Sequence, residues 1–165
     1  MWQRVLPFCL VALMGASTAP AGWQEIAWPY ARDAWPAGRA FRCASASCGG
    51  DMVVSIRPKI GFCNCATGVS GDDEVDAVTD LDLVTEDFVP AAIGERVTIG
   101  GMKGIARRYV LRLAGGRSAA GAGFALATQC DLVVAAVQGA GSREAVAGLL
   151  EGAEVMSWLN GVLGR

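Results

Sequence analysis

"ERVTIGGMKGIARRYVLRL", residues 95–113, is the stretch that decides the fold. Within IARRYVLRL, Tyr109, Leu111 and Leu113 alternate with Arg108, Val110 and Arg112, the period-two pattern of a strand with one buried face. ERVTI before it is β-prone, and Gly100 to Gly104 between the two runs is rich in the residue that accepts a tight turn's backbone. Two strand-like runs around a glycine-rich loop predict an antiparallel hairpin.

Downstream, AGGRSAAGAG at 114–123 reads as a second flexible turn. FALATQCDLVVAAV at 124–137 reads as more sheet, either one long strand or two strands bent near Gln129 to Asp131. The period then changes. Ser142 can cap a helix in which Ala145, Val146, Leu149, Leu150 and Ala153 follow helical spacing, and a second piece runs through Val155, Met156, Leu159 and Val162. Gly148, Gly152 and Gly161 weaken it and predict a break near Gly152.

Upstream, MVVSIR at 52–57 places Val54 and Ile56 on one face and Ser55 and Arg57 on the other, and Pro58 should stop the ladder or confine it to an edge. DDEVDAVTDLDLV at 72–84 suits a short helix capped by Ser70 or Asp72, with Val75, Val78 and Leu81 or Leu83 as its apolar stripe. Strands followed by helix predict an α+β fold, mainly an antiparallel β-sheet packed on one side by a C-terminal helix, with an aromatic N-terminal arm.

That arm, residues 22–42, carries Trp23, Trp28, Tyr30, Trp35 and Phe41. Pro29 and Pro36 push the tryptophan before each out of the helical region, so the segment reads as irregular with extended pieces. Trp23, Trp28, Tyr30 and Trp35 are the candidate binding residues, an aromatic platform for a sugar, a peptide or a lipid surface. The competing reading lays the arm across the sheet and spends its rings on buried area.

Residues 1–21 have one charge at Arg4, an apolar run from Val5 to about Met14, and small residues ending Ala19-Pro20-Ala21. This is the layout of a secretory signal peptide cleaved after Ala21, leaving residues 22–165 as a single α+β domain. No later stretch is apolar for long enough to span a bilayer as a helix, so no integral membrane segment is expected after cleavage. The whole chain has 14 basic and 16 acidic residues; loss of Arg4 leaves 13 against 16, a net charge of −3. Scattered arginines and an acidic balance leave no footprint for nucleic acid. An Ala-, Gly-, Val- and Arg-rich composition is that of GC-rich bacterial genomes, which favours the periplasm as the destination.

An oxidising compartment makes disulfides the default for Cys43, Cys48, Cys63, Cys65 and Cys130, the cysteines left once Cys9 departs with the signal. Five is odd, so one thiol remains. The favoured arrangement ties Cys43 or Cys48, before the strand at 52, to Cys63 or Cys65, beyond it. A loop of roughly fifteen to twenty residues closed in this way contributes about 3 kcal/mol. Cys130 is then the buried odd thiol or the partner of a loop cysteine. The alternative is a thiol-based metal site or disulfide-exchange pair at Cys63 and Cys65, since residues two apart on a strand present both sulfurs to one face. The spacing C-x4-C-x14-C-x-C is a poor match to zinc knuckles, and no C-x-x-C occurs.

The carboxylates Asp72, Asp73, Glu74, Asp76, Asp80 and Asp82 offer no register with glycine sixth and glutamate twelfth, which excludes a calcium hand, and they read as a solvated helix start. The chain has no histidine, which excludes Ser-His-Asp and histidine-zinc hydrolysis. Gly100, Gly101 and Gly104 flank Lys103, but they join two strands and do not open a helix, unlike a phosphate-binding loop. The sequence therefore describes an exported, disulfide-stabilised binding or interaction domain, with no cofactor, no catalysis and a partner the residues do not specify.

Overall fold

The hairpin at 95–113 forms, with a shorter turn than the glycines suggest. The computed structural model describes residues 20–31 and 33–165, so all but the last two residues of the predicted signal segment 1–21 lie outside the described residues. Strand β5 (Glu95–Ile99) and strand β6 (Met102–Leu113) are joined by Gly100 and Gly101 alone, at φ +57 and +78. Two positive-φ residues match the twist of the flanking strands, so Met102 to Gly104 are free to pair with Val97 to Ile99.

The glycines after β6 serve close packing more than turning. The turn occupies only Ala114–Gly116, and β7 (Arg117–Thr128) begins directly after it. A Cβ on Gly123 would lie 2.7 Å from Thr79 Oγ1, and one on Gly121 would lie 2.7 Å from Leu111. The run SAAGAG is therefore a strand whose missing side chains admit neighbours. Gln129, at φ +60, and Cys130 then turn the chain into β8 (Asp131–Gly139), which settles FALATQCDLVVAAV as two strands.

The remaining strands are β1 (Trp23–Ile26), β2 (Arg39–Ser45), β3 (Gly50–Lys59) and β4 (Phe88–Pro90). Among the described residues these four join β5–β8 in one eight-stranded antiparallel sheet in the order β1-β2-β3-β8-β7-β6-β4, with β5 on the same edge of β6 as β4. Pro58 does not end β3, but it falls where the strand is locally an edge. It pairs with Val133 of β8 at a point beyond the start of β2, whose pairing to β3 begins at Arg39 and Ile56. There β3 has one neighbour only, and a missing N–H is tolerated.

Helices cover both faces of the sheet, where the sequence suggests one. Helices α3 (Arg143–Leu150) and α4 (Ala153–Val162) set Val146, Leu149, Leu150, Val155 and Leu159 against Phe41, Val54, Ile56, Phe124, Leu126, Val133 and Ala135. Ser142 caps α3 by accepting from the N–H of Ala145 at 3.0 Å, and Gly152 marks the break before α4. On the opposite face, the single predicted helix is two, α1 (Asp72–Val78) and α2 (Leu81–Val84). Val75 and Val78 pack on Ile105, Ala125, Leu132 and Val134, while Leu81 packs on Tyr109, Leu111 and Ala136. Neither Ser70 nor Asp72 caps α1: Gly71 holds that position, and the Asp72 carboxylate accepts the N–H of Gly94 instead.

Arg39 fastens the β1–β2 edge to α4. Its guanidinium pairs with Glu25 of β1 and Glu154 of α4 and lies over the rings of Phe41 and Trp158. The hydrogen bond from Arg39 holds the Glu25 carboxyl below the usual glutamate range. A carboxyl that binds its proton less tightly when folded contributes fully above its ordinary pKa, near about 4.3. The contribution fades as the pH falls through the lower folded value. Acid titration of urea stability should therefore show a loss below about pH 4 that is shallower in Glu25→Gln; identical acid limbs would remove Glu25 as a source.

Candidate functional site

Alternation along β3 points Ser55, Arg57 and Lys59 toward α1 and α2. β8 flanks this stretch of β3, and the helix pair and the arm cover it, so Arg57 and Lys59 are only 2% and 5% exposed. Buried cations require carboxylates. Asp80 supplies both oxygens, one 2.7 Å from Arg57 Nε and the other 2.7 Å from Lys59 Nζ. Lys59 also donates to the carbonyl of Val78 at 2.8 Å, and Arg57 reaches Asp33 of the arm at 2.8 Å. The break between α1 and α2 makes this possible, since Asp80 sits at φ +58 and aims its carboxylate back at the sheet.

The arm is laid over these cations. Trp28 faces the Arg57 guanidinium at 5.5 Å and meets Tyr30 edge-on. Trp35 meets Phe62 edge-on at 5.2 Å, with Lys59 Nζ 5.6 Å from the Trp35 ring and 5.7 Å from Phe62. Burial pushes the Tyr30 phenol above its ordinary range. Trp23, in β1, packs against the α3–α4 core instead. All four candidate rings are half-buried, and the structure does not gather them into one surface.

Around Trp35 a surface does form. Trp35, Pro36, Pro58, Ile60, Trp158 and Val162 line a cleft of about 270 Å³. Ile60 is 61% exposed, Val162 41%, and neighbouring Phe62 47%. Sequence reading missed Ile60, Phe62 and Trp158, and assigned Val162 to the helix core. The available signal was two large apolar residues, Ile60 and Phe62, alternating with Gly61 in a turn where no strand could bury them. A hollow of about 690 Å³ lies on the α3–α4 face over Ala122, Phe124 and Val137, but Arg143 on its rim already pairs with Glu95 and Glu144.

The acidic run is no solvated helix start. Arg107 of β6 lies 2.7 Å from Asp76 and 3.4 Å from Asp72, and the Tyr109 hydroxyl donates to Asp76 at 2.5 Å. Burial, followed by that carboxylate, pushes the Tyr109 phenol far above its ordinary range. Glu74 accepts from the N–H and hydroxyl of Ser70, leaving Asp73 and Asp82 to solvent. These acids neutralise the sheet's cations. Among the described residues no group of three or more Cys, Asp or Glu side chains is placed to hold a metal ion.

The cysteines pair differently from the favoured arrangement. Cys43 bonds Cys48, five residues on, and Cys65 bonds Cys130 in the turn between β7 and β8. β3 carries the chain away from Cys43 and Cys48, so the loop at 60–70 meets the start of β8, at the β7–β8 turn, and not the start of β3. Among the described residues Cys63 is the free thiol, half-buried, with its N–H donating to the Cys130 carbonyl at 3.1 Å. With Cys65 committed to Cys130, the two sulfurs needed for a Cys63/Cys65 metal or exchange site are not both present. Burial and the Glu74 carboxylate push the Cys63 thiol up, away from the thiolate form that reacts.

Fold and site together define an antiparallel α+β sandwich with two disulfides and an arm latched over buried cations. No family model matches the sequence, and no curated protein does. Solved structures to which the chain is distantly similar include the following two. Cyanobacterial PsbP from Synechocystis sp. PCC 6803 is similar at a TM-score of 0.45 and 16% identity, over 73% of this chain and 71% of that one. A Pseudomonas aeruginosa protein of unknown function, described as a putative regulator, is similar at 0.40 and 12% identity, over 82% and 87%.

Intact mass without reductant should show the loss of four protons, with one thiol alkylated only slowly until denaturant is added; three or more rapidly alkylated thiols would refute the pairing. Asp80→Ala should cost about 3 kcal/mol in urea unfolding, because it leaves two buried cations without their shared carboxylate. A loss under about 1 kcal/mol would mean that Asp33 and water suffice.

Proposed function

We propose that the chain is an exported, disulfide-stabilised binding domain without catalysis, active as residues 22–165. Its contact surface is the cleft beneath Trp35, and its partner is a protein that inserts apolar side chains there. The observation that carries this reading is that exposed Ile60 and Val162 line a cleft walled by Trp35 and Trp158, with exposed Phe62 set edge-on against Trp35 beside it. Apolar side chains clustered at one surface point mark interaction sites, and aromatic anchors dominate such contacts. Trp28 and Tyr30 serve the site indirectly by holding the arm on the sheet, and Trp23 does so by fixing β1. The signal-like N-terminus supports export, and two disulfides are consistent with an oxidising compartment. No helix among the described residues is long and apolar enough to cross a membrane.

A photo-crosslinking amino acid placed at Ile60, Phe62 or Val162 in the periplasm of a bacterial host should capture one discrete protein. The same group at exposed Glu86 should not. Capture that is absent at all three positions, or equal at Glu86, would overturn the assignment.

A further inference from the structure

The loop that opens with Phe62 and Cys63 forms one wall of a second hollow, on the α1–α2 face at the far end of the hairpin. Its volume is about 500 Å³. Register places its charged groups together: Thr98 of β5 is opposite Lys103 of β6, Lys103 is opposite Ala127 of β7, and Arg96 lies diagonally across at Ile105. Side chains directly or diagonally opposite on one face of a sheet can act on one ligand. Arg96 and Lys103 line this hollow, and no carboxylate does.

In a chain with more acids than bases, this hollow holds two cations with no carboxylate between them. On the same face of the sheet Arg57, Lys59 and Arg107 have acidic partners. Among the described residues Lys103 has no ion pair, and Arg96 donates only to the neutral carbonyls of Val69 and Ser70, at 3.4 and 3.3 Å. Of the nearby acids, Glu74 accepts from Ser70 and Asp131 from the N–H of Gly61, and neither lines the hollow. The rest of the lining is polar and small, including Thr67, Thr128 and Gln129. The wall is rigid: Cys65 is bonded to Cys130, Val69 is buried, and Asn64 Oδ1 accepts from the N–H groups of Ala66 and Thr67.

We propose that this hollow binds the phosphoryl group of a small polar phosphomonoester. A dianion matches two neighbouring positive charges, arginine's planar fork suits phosphate oxygens, and hydroxyl and amide groups remain for a polyol. The geometry is not a helix-capped phosphate loop, and the sequence argument against such a loop at Lys103 stands. The site also does not depend on the Trp35 cleft.

The test is a nitrogen-15 amide titration of the disulfide-bonded chain, residues 22–165, with glucose 6-phosphate. Glucose and citrate serve as controls, with phosphatidic acid vesicles as a parallel arm. Expected are saturable shifts at Thr67, Gly68, Lys103 and Gln129, none with glucose, and binding about tenfold weaker in each of Lys103→Ala and Arg96→Ala. Both side chains are exposed, and far-UV circular dichroism checks that the variants fold. Retention on the vesicles with the same variant dependence also supports the phosphoryl assignment and names a lipid headgroup as the source. Absence of saturation with both probes up to about 10 mM, equal binding of citrate, or unchanged binding in both variants would each overturn it.

Discussion

Asp80 is the constraint on which the rest of the molecule depends. A central strand carrying Arg57 and Lys59 on one face cannot be covered unless a carboxylate comes with the cover, and Asp80 is bonded to both. Its left-handed backbone ends α1 and starts α2, so the bend between the helices and the neutralisation of the strand are one event. Thr79 beside it is buried over Gly123, where a side chain on the strand would block its approach. Arg57 then has a second branch for Asp33, which brings the arm and its aromatic rings down over the same cations. Helix pair, strand and arm are therefore interdependent on this face.

The two faces divide the labour differently. Where α3 and α4 pack, the contacts are aliphatic and aromatic, and each buried large side chain contributes about 1.5–3 kcal/mol relative to exposure. On the other face the ion pairs lose solvation on burial, so their net gain is small even though breaking one is costly. The apolar face supplies stability, and the charged face restricts how the second layer can sit. Sliding α1 by one turn would leave Asp76 away from Arg107 and Tyr109, and Asp80 away from Arg57 and Lys59.

This division also explains what was legible in the sequence. The hairpin, the alternation at 52–57, the Ser142 cap and the break at Gly152 are local, each set by a few neighbouring residues, and each could be read. Gly121 and Gly123 were misread as turn residues because their reason lies across space, in Leu111 and Thr79. The acidic run looked solvated because its counter-charges, Arg57, Lys59 and Arg107, are distant in sequence. Trp35 was visible as a candidate, but its partners Ile60 and Phe62 come from the turn after β3 and Trp158 from α4, and no periodicity links the three segments.

The disulfides follow the same logic of distance. Spacing favoured closing Cys43 or Cys48 onto the loop at 63–65, but the register of β3 with β8 carries that loop to the β7–β8 turn. A tie spanning 65 residues removes more freedom from the unfolded chain than the predicted one, about 4 kcal/mol against about 3 in the chain-entropy account. Its position has a further effect. One end of the tied loop carries Phe62, which supports Trp35, and the other carries Thr67 and Val69, which wall the hollow at Lys103. A segment without helix or strand thus has fixed ends and a buried anchor, and it can present side chains to both surfaces without the ordering cost that a free loop would incur on binding.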